Sequence, residues 1–156
     1  MRVHLCAVGR LRAGPERDLV DAYSDRFTRI GRGIGLGPLN EIEVEDRTAR
    51  GPVAEAALLA RAIPDGATIW VLDERGRAAT SPEFARQLAR VRDAGTGDLG
   101  ILIGGADGID PALRQKADRL VSFGPMVWPH MLARVMLAEQ LYRAAAILTG
   151  APYHRA

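Results

Sequence analysis

The chain has 156 residues, of which 47% are hydrophobic and 26% are charged, and these values are typical of a single globular domain spanning residues 1–156. No run approaches the roughly 20 apolar residues of a membrane helix, and the N-terminal residues lack an apolar signal region. We therefore expect a soluble, cytoplasmic protein. The net charge is only +2, although Arg outnumbers Lys twenty to one. Arg suits contacts with RNA, but codon bias explains this composition equally well.

The side chains that could bind a metal ion are few and scattered. Cys6, the only cysteine, lies among apolar residues, which indicates a buried thiol rather than a reactive one. The three histidines show no spacing typical of metal ligands. We predict no catalytic metal.

The first half of the chain predicts two β-then-α units. Residues 2–8 are mostly apolar, as in a strand, and residues 15–30 carry apolar side chains at helical spacing. Four glycines within residues 31–38 interrupt regular structure before a short alternating strand at 41–45 and an Ala-rich helix at 52–63.

The second half continues the alternation with further strands and helices, predicted at residues 67–72, 80–93, 98–103, from Asp110 and Pro111 onward, 119–123 and 129–149. An apolar stripe that includes Leu132, Leu137 and Leu141 marks the last helix. Nearly continuous apolar strands alternating with helices predict an α/β fold, with a mainly parallel sheet covered by helices on both faces.

Ligands of open parallel sheets bind at the carboxyl ends of the strands, so the segments after residues 72, 103 and 123 are the candidates. The first is a charged turn, LDERGR, which could equally be a plain surface turn. The second contains Gly104, Gly105 and Gly108, which allow the main chain to approach a ligand closely. The third, FGPMVWPH, offers aromatic and sulfur-containing surface for a flat base, although it could simply be a buried connection.

Polar side chains on the last helix and in the tail form a second group of candidates. Glu139 and Arg143 are spaced as an i, i+4 ion pair, which on an ordinary helix is a surface salt bridge. Tyr153, His154 and Arg155 end the chain with groups that could stack on a base, move a proton and hold a phosphate.

Three separated segments resemble one known family: LDERGRAATSPEFA, ILIGGADGIDP and WPHMLARVMLAEQLYRAAAILTGAPYHR. The chain is similar over essentially its whole length to the RlmH family, the pseudouridine N3-methyltransferases of large-subunit ribosomal RNA, which belong to the SPOUT class. The resemblance implies a deep C-terminal trefoil knot, a homodimer with the active site at its interface, and S-adenosylmethionine as the cofactor. It also implies methylation of 23S rRNA on the assembled ribosome.

The resemblance further implies site residues, position by position. The cofactor pocket would comprise Leu72, Gly104, Gly105, Phe123, Gly124, Pro125, Met126, Val127 and Trp128. The catalytic group would comprise His130, Glu139, Arg143, Tyr153, His154 and Arg155, with Arg134 on the same helix. We expect His154 to be the proton acceptor, because imidazole titrates near neutral pH. The match is weakest at residues 9–40, so the resemblance assigns no RNA contact there.

Three other functions remain open from the sequence. A SPOUT methyltransferase could modify another RNA position, since base-specific contacts are not visible in the sequence. A ribosome-binding factor could keep the fold without catalysis. A nucleotide-binding α/β protein could use the glycine turn for phosphate, although the turn lacks both the G-x-G-x-x-G and the P-loop spacing.

Overall fold

A computed structural model describes residues 1–45 and 51–153. Within these ranges the chain forms β1 (Arg2–Val8), α1 (Pro15–Gly31), β2 (Leu39–Val44), α2 (Pro52–Ala62), β3 (Thr68–Ala78), α3 (Ser81–Asp93), β4 (Asp98–Ile103), α4 (Pro111–Lys116), β5 (Arg119–Ser122) and α5 (His130–Thr149). A short 3-10 turn, Arg32–Ile34, follows α1. Among the described helices, none is long and apolar enough to cross a membrane.

The five described strands form one sheet in the order β2-β1-β4-β3-β5, and every pairing is parallel. This confirms the predicted α/β class. Because the strands are parallel, their carboxyl ends all lie at one edge of the sheet, where a ligand crevice is expected. The trefoil knot that the resemblance implies stays a prediction.

Helices cover both faces of the sheet, as the apolar strands predicted. Alternate residues of β1 enter different cores: Leu5 packs with residues of α1, α3 and α5, and Cys6 packs with residues of α2 and α4. This alternation follows from the two-residue period of a strand. The longest helix, α5, lies against α1 and α3, so its position is fixed from two sides.

Two helices begin at the positions that the capping residues in the sequence indicated. The Oγ1 atom of Thr80 accepts a hydrogen bond from the main-chain N–H of Glu83, and the Glu83 carboxylate accepts one from the N–H of Thr80 at 2.8 Å. At the start of α4, Asp110 accepts a hydrogen bond from the N–H of Ala112 at 2.9 Å. These caps satisfy N–H groups that lack partners inside the helix.

The structure corrects two expectations. The third strand does not end at residue 72: it continues to Ala78 and pairs with β5 again after a register shift between Leu72 and Arg77. This continuation is polar, so no apolar run signalled it, and Gly76 permits it because a Cβ there would lie 2.9 Å from the main chain of β5. Leu132, placed in the core stripe of the last helix, is instead 40% exposed.

Candidate functional site

A cleft of about 290 Å³ lies at the carboxyl ends of β4 and β5 and beside the register shift in β3, near the lower limit of small-molecule pockets, which span roughly 300–1,000 Å³. It is lined by Leu72, Asp73, Glu74, Arg75, Ile103, Gly104, Gly105, Ala106, Asp107, Gly108, Ile109, Phe123, Gly124, Met126, Val127, Trp128, His130 and Ala133. The cleft therefore combines all three segments that sheet geometry singled out.

The floor of the cleft is main chain that folds back on itself after β4. The N–H of Gly108 donates a hydrogen bond to the carbonyl of Gly105 at 3.1 Å, which closes a tight turn. A Cβ on Gly104 would lie 2.6 Å from the carbonyl carbon and oxygen of Gly108. Such a contact is too short and involves backbone on both sides, so only glycine fits at position 104.

The turn after β5, which lines part of the cleft, is held in place by Ser122, a residue that the sequence did not single out. Its buried hydroxyl accepts a hydrogen bond from the N–H of Gly124 at 3.0 Å and lies 3.3 Å from the carbonyl of Glu74. Gly124 has a φ of 100°, a left-handed conformation that favours glycine. Ser122 thus ties the turn after β5 to β3. A lone serine at the end of an apolar strand was the only available signal.

Charged residues of the LDERGR segment lie in the cleft and do not form a plain surface turn. Asp73, whose side chain is 5% exposed, accepts hydrogen bonds from the main-chain N–H of Arg75 at 2.8 Å and from the Arg114 guanidinium at 3.2 Å. Glu74 and Asp107 are exposed at the cleft, and Glu74 lies 3.9 Å from the exposed Arg75 guanidinium. Asp107, which has no ion-pair partner in the described part of the chain, favours a cationic portion of a ligand.

The structure brings together the predicted cofactor residues, with one exception. Pro125 is exposed and is not part of the cleft lining. His130, predicted for catalysis and the last residue of the FGPMVWPH segment, also lines the cleft. Among residues 1–45 and 51–153, no group of three or more His, Cys, Asp or Glu side chains is arranged to hold a metal ion.

Glu139, Arg143 and Tyr153 form a connected group on α5 and the tail. Oε1 of Glu139 accepts hydrogen bonds from Nε and Nη2 of Arg143 at 2.9 and 2.6 Å, and from the Tyr153 hydroxyl at 3.1 Å. The Arg143 guanidinium also lies 4.9 Å from the centre of the Tyr153 ring. The predicted ion pair therefore exists, and it also anchors Tyr153.

Burial raises the pKa of Tyr153 far above its ordinary value, and hydrogen bonding to Tyr23 and the charge of Glu139 raise it further. The phenol consequently stays protonated at neutral pH and acts as a hydrogen-bond donor. His154 and Arg155, which complete the predicted tail group, lie outside the described residues.

The α5 group does not face the cleft of its own chain. Glu139 lines a second groove of about 450 Å³, together with Tyr23 of α1 and Phe84 of α3. Of the described residues, only Phe123 and Gly124 line both cavities. Within one chain, Glu139 is thus brought to a groove separate from the cleft that the predicted cofactor residues and His130 line.

Arg134, the remaining predicted residue of α5, is buried, with 1% of its area exposed. Its guanidinium binds Glu41 at 3.0 Å and Glu43 at 2.7 Å, and it also donates a hydrogen bond to the carbonyl of Gly9 at 2.9 Å. Arg134 therefore joins the first turn of α5 to the ends of β1 and β2, and it does not line the cleft.

Comparisons with known proteins agree with this architecture. Residues 1–154 match the family described as "Predicted SPOUT methyltransferase". The chain is 68% identical over 155 residues, 99% of each chain, to the ribosomal RNA large subunit methyltransferase H of Roseobacter denitrificans. It is 66% identical, with the same coverage, to the protein of that name from Dinoroseobacter shibae.

Among solved structures, a probable methylase family protein from Haemophilus influenzae superposes with a TM-score of 0.51 at 12% identity, covering 99% of this chain and 70% of that one. This likeness bears on the fold alone. The family match and the full-length relatives also show the family, because each comparison extends across the strands, the glycine turn and the last helix. The chain therefore belongs to the SPOUT methyltransferases, in the family of ribosomal RNA large subunit methyltransferase H.

Proposed function

We propose that this chain transfers a methyl group from S-adenosylmethionine to N3 of a pseudouridine in 23S rRNA. The observation that carries the proposal is the cleft at the strand ends, whose floor is bare main chain at Gly104. Relatives named ribosomal RNA large subunit methyltransferase H support the choice of substrate. Activity on ribosomal RNA would place the protein in the cytoplasm.

The cleft suits S-adenosylmethionine in shape and in chemistry. Ile103, Ile109 and Trp128 offer apolar surface for a purine, and the glycine floor lets main-chain groups reach polar edges of the ligand. Asp107 places negative charge at the cleft, where a sulfonium or ammonium group would be favoured. When bound, this cofactor supplies an electrophilic methyl group.

The protein must position the base and remove its proton, because an imide N3 exposes a good lone pair only after deprotonation. We assign proton acceptance to His154 and contact with the RNA phosphate to Arg155. Tyr153, held by Glu139, orients this tail. A His154→Ala protein should lose single-turnover rate while binding the cofactor normally, and an unchanged rate would remove His154 from this role.

A homodimer would bring the separated cavities together. Apolar side chains are exposed in and just after the cleft wall, with Met126 66% and Val127 84% exposed, followed by Trp128, Met131 and Leu132. An apolar surface of this kind favours association with a second chain. In such a dimer the α5 group and tail of one chain would complete the cleft of the other.

We expect the RNA substrate to be methylated as part of a preformed ribosomal surface. A net charge of only +2 per chain provides little general attraction for RNA, whose affinity for proteins depends on the number of neutralised phosphates. We therefore expect activity on ribosomes and little on free RNA. Identification of the methylated nucleotide by mass spectrometry tests the position, and a product elsewhere than pseudouridine N3 would assign the enzyme to another RNA target.

The first experiment is calorimetric titration with S-adenosylmethionine, comparing the unmodified protein with Gly104→Ala and Gly104→Arg. Both variants should lose binding, because any Cβ collides with the Gly108 main chain. Gly33→Ala is the control, since a Cβ there meets nothing within 4 Å. Equal binding by all four proteins would reject this cleft as the cofactor site, and no binding to the unmodified protein would favour a noncatalytic ribosome-binding role.

A further inference from the structure

The loop Gly9–Gly14 follows β1, at the same sheet edge as the cleft. Since β1 pairs with β4 in parallel, the carboxyl end of β1 lies next to the strand that leads into Gly104. A Cβ placed on Gly9 would lie 3.9 Å from Nε2 of His130, and His130 lines the cleft. The loop therefore borders the candidate active site.

The loop is fixed at two points. The side chain of Leu11 is buried, and its main-chain N–H donates a hydrogen bond to Oε1 of Glu43 at 2.7 Å. Arg134 donates a hydrogen bond to the carbonyl of Gly9 at 2.9 Å. The buried guanidinium and the buried leucine thus hold the loop against the sheet.

The arginines beneath the loop are paired with carboxylates, whereas two arginines on the loop itself are not. Glu41 and Glu43 are shared between the guanidinium groups of Arg134 and Arg17, and Arg17 also pairs with Asp21, so neither of these guanidinium groups has charge to spare for RNA. Arg10 and Arg12, on either side of the buried Leu11, are exposed. Neither makes an ion pair with another residue in the described part of the chain.

We propose that Arg10 and Arg12 bind phosphate groups of the RNA backbone and hold the substrate beside His130 and the cleft. This inference rests on the proposed function. Guanidinium groups bind phosphate oxygens through two parallel hydrogen bonds, and phosphate contacts set the register of a nucleic acid without reading its sequence. An anchored loop holds both charges in place before the RNA arrives, which lowers the entropic cost of binding.

The test compares binding to purified bacterial ribosomes for two double variants with the same charge change. Arg10→Gln with Arg12→Gln removes the proposed contacts. Arg29→Gln with Arg32→Gln is the control, since both residues are exposed near the end of α1. That region lies by the amino end of β1, as the hydrogen bond from Gly37 N–H to the Met1 carbonyl shows, so it is remote from the cleft.

We expect the loop variant to bind ribosomes roughly tenfold more weakly, with the slope of log K against log salt reduced by about 1.5, because each phosphate contact contributes about 0.7–0.9 to that slope. Its cofactor affinity should be unchanged, and the control should bind ribosomes within about twofold of the unmodified protein. Methylation by the loop variant should recover at high ribosome concentration, because the loop acts in binding.

The outcomes separate this inference from the function beneath it. If the unmodified protein binds and methylates ribosomes but the loop variant weakens no more than the control, the loop proposal is wrong and the function stands. Loss of cofactor binding in the loop variant would also overturn the proposal, because the loop would then support the cleft. A protein that neither binds nor methylates ribosomes would fail on both counts.

Discussion

The hydroxyl group of Tyr153 donates a hydrogen bond to Oε1 of Glu139 across 3.1 Å, and the same oxygen accepts two hydrogen bonds from Arg143. One carboxylate oxygen therefore fixes the start of the C-terminal tail against α5. Tyr153 also packs 4.4 Å from the ring of Tyr142. The position of Tyr153 is consequently determined by side chains of α5.

Glu139→Gln should lower the methylation rate by roughly tenfold to a hundredfold, because hydrogen bonds to a charged group contribute about 1.5–3 kcal/mol. Tyr153→Phe, which keeps the ring and removes one hydrogen bond, should cost about tenfold. Single-turnover assays on ribosomes measure both, and cofactor titration should show normal binding. A Glu139→Gln enzyme with full rate would argue against tail positioning by this carboxylate.

Mixing two inactive proteins tests the composite site. One is truncated after Ala151, which removes the tail, and the other carries Gly104→Arg, which blocks the cleft. In a mixed dimer the intact cleft of the truncated chain would meet the intact tail of the other chain, so one of the two sites should be active. Because about half of the dimers in an equal mixture are mixed, we expect activity approaching about a quarter of the unmodified level. No recovery, with mixed dimers demonstrated by mass spectrometry, would mean that each chain builds its own site.

Arg134→Met should destabilise the fold by about 3 kcal/mol, because removal of one partner of a buried ion pair leaves uncompensated charge, at a typical cost of roughly 3–5 kcal/mol. We expect the lower end of this range, because Glu41 and Glu43 retain Arg17. Arg17→Met is the control and should cost less, since the side chain of Arg17 is 21% exposed. Urea unfolding measures the difference; equal losses would show that burial of Arg134 is not the cause.

Asp98 should make the stability of the folded protein depend on pH in the acidic range. Hydrogen bonds from Arg2 and then His4 lower the pKa of Asp98 from 3.8 to about 2. A carboxyl group with a lowered pKa in the folded state stabilises the fold above its ordinary pKa, and the contribution disappears as the pH falls from about 4 to about 2. Asp98→Asn should therefore lower Tm at neutral pH and flatten its decline over that interval. Parallel curves for both proteins would contradict the assignment.

Cys6 should be inert in the folded protein. Burial raises the pKa of its thiol to about 12, so the reactive thiolate is scarce at neutral pH. Treatment with a thiol reagent should label the chain only after unfolding, and Cys6→Ala should keep full methyltransferase activity. Rapid labelling of the native protein would show that this part of the core opens readily.

The sequence was most informative where a local rule applies. A mostly apolar run indicated β1, capping residues at Thr80 and Asp110 indicated where two helices begin, and paired glycines after β4 indicated close main-chain contact. The resemblance of three motifs added the family and the cofactor residues, nearly all of which line one cleft. Each of these features depends on residues near one another in the chain.

Long-range contacts decided the remainder. The polar extension of β3 exists because β5 pairs with it a second time, and Arg134 on α5 is buried because Glu41 and Glu43 of β2 lie beside it. Ser122 links the turn after β5 to the main chain of Glu74, a contact between residues far apart in the sequence. The fold class and the family thus follow from local patterns and motifs in the amino-acid sequence. Which charges are buried, and which cavity each side chain faces, follows only from the folded chain, because both depend on neighbours that folding brings together.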